Sequence, residues 1–238
     1  MEPPLHERCR VLASHPRGLM AVEKPAGLLS HPNRKEDRNR SLLRAPYDAG
    51  EEAYAGEGGR WFLLHRLDAP TSGVVLLAED AELAAAVRRL FADHVVKKHY
   101  VALVKGFQRA SRETWRDHLA VRRKGGRLRT MVRRGAPNAV TEARVRQHRR
   151  GTPAMTLLDL FPRTGRTHQL RVQCAHRHLP IVGDATYGDF AFNRGLKQRT
   201  GHTRLFLHSH RIEVPLVWKG TELAFTAESP LPPEFASA

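Results

Sequence analysis

The chain has 238 residues, 41% hydrophobic and 27% charged, with 40 Lys and Arg against 24 Asp and Glu, a formal net charge of +16. That length fits one large domain or two small ones, and the composition is that of an ordinary globular protein. No apolar run approaches the ~20 residues of a membrane span, residues 1–8 lack the apolar core of a secretion signal, and Cys9 and Cys174 stand far apart without metal-ligand spacing, so the expectation is a cytoplasmic protein with no membrane association, disulfide framework or structural zinc.

In chain order, residues 18–23 predict a short strand leading into a turn at Lys24 and Pro25, and residues 33–60, polar and Gly-rich, predict loop around one short helical stretch. Phe62, Leu63 and Leu64 have strand character, and the apolar run 74–78 predicts a buried strand. Asp80 is an N-cap for a helix over 81–93 with Leu83, Val87, Leu90 and Phe91 on one face. Residues 97–105 read as a long strand, and 117–132 as two basic arms about Gly125 and Gly126, a hairpin signal. Residues 140–148 alternate, with Thr141, Ala143 and Val145 on a packed face and Glu142, Arg144, Arg146 and His148 on a wet one. A compact apolar strand over 155–161, a short helix over 167–177 and strands over 205–215 and 222–227 follow, and residues 230–233 end the fold. Many strands and few helices predict an α+β protein, a largely antiparallel mixed sheet with flanking helices.

The positive charge is concentrated. Residues 109–150 hold fourteen Lys or Arg, thirteen of them Arg, against Glu113, Asp117 and Glu142. A merely solvated face mixes both signs, so this excess points to a polyanion. Arginine bonds phosphate through a planar fork and stacks on bases, which makes Arg122, Arg123, Arg127 and Arg129 of the basic arms candidate nucleic-acid contacts. Among fourteen histidines the pairs His176/His178 and His208/His210 come without an Asp/Glu ligand set and beside Arg177 and Arg211, so no metal site is expected.

Residues 65–78 read H-R-L-D-A-P-T-S-G-V-V-L-L-A, which sets Asp68 in a turn between two strands, where a rigid scaffold aims a side chain. Alone, such an Asp reads most simply as a turn-stabilising residue. Three other segments weigh against that reading: Lys24, Pro25, Ala26 and Gly27 with His31 and Pro32; K-x-Y-x-A-x-V-x-G from Lys98 to Gly106; and T-G-R-T-H-Q-L-R-V over 164–172, running on to Pro180, Ile181, Val182, Gly183 and Asp184. In order and spacing these motifs, over about residues 18–214, resemble the RluA-type pseudouridine synthase family. The pattern departs from the family's at Gln173 and over 176–180, and the run from Gly183 to Arg194 is similar to the branch that modifies transfer RNA.

The resemblance implies one catalytic domain with a central cleft, and because only some twenty residues precede the first motif, the expectation is a single domain over 1–238 without a separate N-terminal RNA-binding module. The resemblance also implies isomerisation of uridine in structured tRNA or rRNA without a cofactor or an obligatory protein partner. The catalytic carboxylate would be Asp68, which either attacks the sugar or removes its 2′ proton. Arg171 would keep that carboxylate ionised, and Tyr100 would stack on uracil and serve as a candidate general base. Arg66 is the candidate for entering the RNA stack as the nucleotide swings out, and Leu67 and Leu170 are pocket walls or core. Two rivals remain: a base-flipping glycosylase, which also wants an Asp in a basic cleft, and a catalytically silent RNA-binding protein, for which the basic segment alone suffices.

Overall fold

The computed structural model describes residues 3–56, 59–124, 127–151 and 153–237. The chain forms two units, Met1–Lys97 with Ser209–Pro230, and Lys98–His208 with Leu231–Ala238. Among the described residues no helix is long and apolar enough to cross a membrane.

The first unit contains strands β1 (Arg10–His15) and β2 (Leu19–Lys24), a 3-10 helix at Lys35–Arg40, and strands β3 (Tyr47–Asp48), β4 (Ala53–Gly56), β5 (Gly59–Leu63) and β6 (Ser72–Ala78). Helix α1 (Ala81–Ala92) follows, and the hairpin of β12 (Leu207–Trp218) and β13 (Thr221–Glu228) completes the unit. Pairing is antiparallel from β3 through β4 and β5 to β6, from β1 through β2 to β6, and between β12 and β13. All seven residues of β6 are buried, as a strand covered on both faces requires. Asp80 caps α1 as expected, its side chain accepting from Leu83 N at 2.7 Å. Leu83 and Val87 are buried, with Leu90 and Phe91 packed beside them. The segment 33–60 departs from the expected loop: besides its short helix it forms β3, β4 and the start of β5, strands too short to leave a periodic signature.

The second unit is built on strands β7 (Lys97–Lys105), β8 (Arg112–Lys124), β9 (Arg127–Arg133), β10 (Ala139–Arg149) and β11 (Met155–Pro162), paired antiparallel in the order β7-β11-β10-β8-β9. The basic arms do pair as a hairpin, from His118↔Arg133 to Lys124↔Arg127, while the Gly125-Gly126 turn lies outside the described residues. Thr141 and Ala143 of β10 are buried as predicted, but so is Glu142, at 9% exposure, because Arg112 and Arg144 both bond it. A bulge between Val145 and Gln147 breaks the alternation beyond it.

Helix α2 (Gln169–His176) starts two residues later than expected because His168 has a left-handed backbone, φ 55°. Helix α3 (Phe190–Thr200) was not expected, although Asp189 caps its start and left-handed Gly201 ends it. Residues 230–233 do not end the fold: a single turn, α4 (Glu234–Ser237), buries Phe235 completely against Phe206, and the Phe235 carbonyl accepts from the Arg149 guanidinium.

Phe235→Ala is expected to lower stability by about 3–5 kcal/mol, the cost of emptying a fully buried aromatic site. Urea unfolding measures it, and a loss under about 0.5 kcal/mol, as at an exposed position, contradicts the packing described.

Candidate active site

Residues 65–71 lie between β5 and β6, and bonds from outside the ladder hold them. The Ser30 hydroxyl donates to Leu67 O at 2.9 Å and accepts from Leu67 N at 3.0 Å. On the other side of Asp68, the Ala69 carbonyl accepts from Gly27 N at 2.8 Å and from Lys24 Nζ at 3.0 Å. Thr71 N donates to Asp68 O at 2.9 Å, which closes the turn. Asp68 is thus gripped by the backbone on both flanks and is itself half-buried. Lys24 is fully buried. An ammonium withdrawn from water is costly unless its donors are satisfied, and Nζ also donates to Leu28 O at 2.7 Å and Pro25 O at 3.1 Å. Gly73, the second residue of β6, has φ +114°, and a Cβ there would stand 2.1 Å from Ser209 O, so only glycine fits.

Arg66 is exposed, and its Nη1 lies 3.0 Å from His31 Nε2. A guanidinium only donates and a carbonyl only accepts. His31 Nε2 is therefore the acceptor, and Nδ1, 3.1 Å from Pro32 O, carries the proton. The His31 ring stacks on Tyr47 with centroids 4.9 Å apart, Tyr47 meets Tyr54 edge-on, and Tyr54 donates from its hydroxyl to Ser30 O at 2.6 Å. This chain joins Arg66 to the serine that grips Leu67. Leu67 is buried, and His65 accepts from Leu76 N at 3.2 Å while stacking on Phe91.

In the second unit, Tyr100 stands on β7 opposite Leu160, half-buried and packed against the core. Two residues earlier, burial pushes the Lys98 ammonium down to about 8, and Nζ donates to Thr164 O at 3.3 Å. Leu170 and Arg171 lie on α2, both buried, with Leu170 in the core cluster. Arg171 forms a two-pronged pair with Asp184, Nε to Oδ2 at 2.8 Å and Nη2 to Oδ1 at 2.9 Å. Asp184 accepts further from Thr186 N at 2.8 Å and Tyr187 N at 3.0 Å. Burial alone would push its carboxyl up, but the hydrogen bonds and charge of Arg171, with the backbone N–H groups, hold it below the usual carboxylate range.

The Tyr187 ring lies under the Arg171 guanidinium, 5.2 Å from its centroid. Its hydroxyl accepts from Thr130 N of β9 at 2.9 Å and bonds His168 Nδ1 at 2.9 Å. Arg129 approaches the same ring at 5.7 Å and donates to Thr186 O at 3.4 Å. The middle of β9, in the basic hairpin, is therefore fixed to the loop that holds Arg171. Arg122 and Arg123 are exposed on β8, and the Arg127 side chain lies outside the described residues. Of the sequence-derived candidates, Arg66, Leu67 and Asp68 share the turn in the first unit, whereas Tyr100, Leu170, Arg171 and the hairpin arginines belong to the second. Ser30 and Tyr187 carry no signal of their own in the sequence. Asp184 closes the run 180–184, but nothing in that run shows that it pairs with Arg171.

A family model described as RNA pseudouridylate synthase matches residues 18–176. Among curated proteins, tRNA pseudouridine synthase C of Vibrio cholerae is 33% identical over 82% of this chain and 80% of its own. The protein of the same name from Haemophilus ducreyi is 35% identical over 80% and 79%. Among solved structures, human RNA pseudouridylate synthase domain containing 1 superposes with a TM-score of 0.71 at 26% identity, covering 98% of this chain and 89% of that one. Human RNA pseudouridylate synthase domain containing 4 gives 0.68 at 26% identity, over 95% and 90%.

Asp184→Ala leaves the buried Arg171 without this carboxylate, and a loss of about 3–5 kcal/mol is expected at pH 7. Because the folded carboxyl titrates below its ordinary value of about 4, the stabilisation is complete above that value and falls away as pH drops through the depressed one. Urea unfolding of wild type and variant from pH 7 to 3 reads this directly. The gap between them should hold steady down to about pH 4 and narrow below it; narrowing that is already complete by about pH 5 contradicts a depressed carboxyl.

Proposed function

Because the chain belongs to the RNA pseudouridylate synthase family, and is thus an isomerase acting on RNA, we propose that it converts uridine in structured tRNA to pseudouridine through Asp68. Its fold is that of pseudouridine synthase domains. The preference for tRNA over rRNA rests on the curated relatives, which are named as tRNA enzymes. The observation that carries the role of Asp68 is the grip on the backbone of its two neighbours, Leu67 by Ser30 and Ala69 by Gly27 and Lys24, with Asp68 itself only half-buried. A group that must meet one sugar carbon gains from such positioning, because orientation is settled before substrate arrives.

The reaction breaks the bond from N1 to C1′, turns the uracil and joins C1′ to C5. Product and substrate are isomers, so neither energy input nor a redox cofactor is needed. Asp68 either attacks the sugar or removes its 2′ proton, and both roles require the ionised carboxylate. Arg171 is the cation that favours that form, and Asp184 and Tyr187 hold its guanidinium. Tyr100 stacks on the detached base and is the candidate to take the C5 proton. Arg66, steadied by His31, occupies the place in the stack that the flipped nucleotide leaves, since a guanidinium both stacks and hydrogen-bonds. The hairpin arginines hold phosphates.

Asp68→Asn and Asp68→Ala should abolish pseudouridine formation while RNA affinity stays within about twofold, because one carboxylate adds little to phosphate binding. Single-turnover assays on unmodified tRNA measure this, and appreciable turnover by either variant, once deamidation of the Asn is excluded by mass, refutes the assignment. Arg122→Ala with Arg123→Ala should flatten the dependence of log affinity on log salt by about 0.7 to 0.9 for each phosphate no longer neutralised. An unchanged slope would mean that this stretch of β8 does not face the RNA.

A further inference from the structure

The end of the second unit's sheet where β7 and β10 finish and β11 begins bears an aromatic surface that no step of the isomerisation uses. Phe107, just past β7, is 56% exposed. Its ring stacks on His148 of β10 with centroids 4.0 Å apart and planes 15° from parallel. The fully buried Thr156 pins this pair in place: its hydroxyl donates to Gly106 O at 2.8 Å and accepts from Gln108 N and His148 Nδ1, both at 3.3 Å. Gly106, at φ +111°, also donates from its N to Ala154 O at 2.8 Å. The exposed Arg109 and Arg150 stand two residues along from Phe107 and His148. The nearby acid, Glu113, accepts from Gln108 and the Trp115 indole.

From this geometry we propose that the Phe107–His148 stack is a platform for an unpaired base of the RNA substrate, with Arg109 and Arg150 on the flanking phosphates. A ring already backed by a second ring loses little freedom when a base stacks on its outer face, and bases without partners are what proteins read by stacking. Charge selects the occupant, since His148, Arg109 and Arg150 belong to the segment 109–150, whose net charge is +11, and Phe107 stands just before it. The nucleotide concerned is not the reacting one. Tyr100 lies five residues before the end of β7, about 16 Å along the strand at 3.3 Å per residue, so the platform meets a base outside the one bound for isomerisation. The site extends the RNA footprint beyond the basic hairpin.

Fluorescence anisotropy with a pool of unmodified tRNA transcripts tests this independently of any catalytic role. Phe107→Ala should weaken binding about fivefold or more with the salt slope unchanged, because stacking releases no counterions. Phe107→Trp should bind as wild type, and Arg109→Ala with Arg150→Ala should instead lower the slope by about 0.7 to 0.9 per phosphate released. Wild-type affinity in Phe107→Ala overturns the proposal. So does a weakening accompanied by a change in oligomeric state on gel filtration, which would assign the surface to a second copy of the chain.

Discussion

The ammonium of Lys24, fully withdrawn from solvent, ties Pro25 and Leu28 of its own turn to Ala69 of the turn that carries Asp68. A buried charge of this kind holds its surroundings tightly because each broken hydrogen bond exposes the full cost of desolvation. Ser30 works with it from the other flank, acting as donor and acceptor to the same residue, Leu67. Segments far apart in the chain thereby become one rigid piece, and Asp68 sits at its centre. Gly73, near the start of β6, allows the backbone of Ser209 to approach within the volume of a methyl group, which fixes the second flank of the turn.

The second unit solves a different problem, that of holding a cation in an apolar setting without letting it swing. Arg171 is met in the plane by Asp184 and on its face by Tyr187. The fork of the guanidinium matches the carboxylate, so both bonds must break together for it to turn. Tyr187 then passes this order outward through its hydroxyl to β9 and His168. The left-handed backbone of His168, a conformation that costs a non-glycine residue energy, is held by that contact and by the start of α2. The strands proposed to meet RNA and the arginine proposed to serve the chemistry rest on one loop.

Local signals were well legible in the sequence. The buried run of β6, the Asp80 cap and amphipathic face of α1, the length of β7 and the pairing of the basic arms all follow from residue type and spacing, and the structure carries each of them. What escaped was short or long-range. β3 and β4, of two and four residues, are set by their neighbours rather than by any period of their own. α3 is polar, with Gly195 inside it, so its caps were the only clue. Phe235 stands after a proline-rich stretch that reads as an ending, yet it completes the core. The motifs named Asp68, Tyr100 and Arg171 as candidates, but Ser30, which holds the turn of Asp68, and Asp184 and Tyr187, which hold Arg171, are brought in by the fold and leave no spacing to read.

Isomerisation requires that the detached uracil be rejoined to the same sugar. The purified protein, incubated with a pool of unmodified tRNA transcripts and no added cofactor, should produce pseudouridine at defined uridines when the RNA is mapped, and release no free uracil. Free uracil accumulating in place of pseudouridine would make the protein a glycosylase, and tRNA left unchanged would leave it a binding protein; either result contradicts the proposed chemistry.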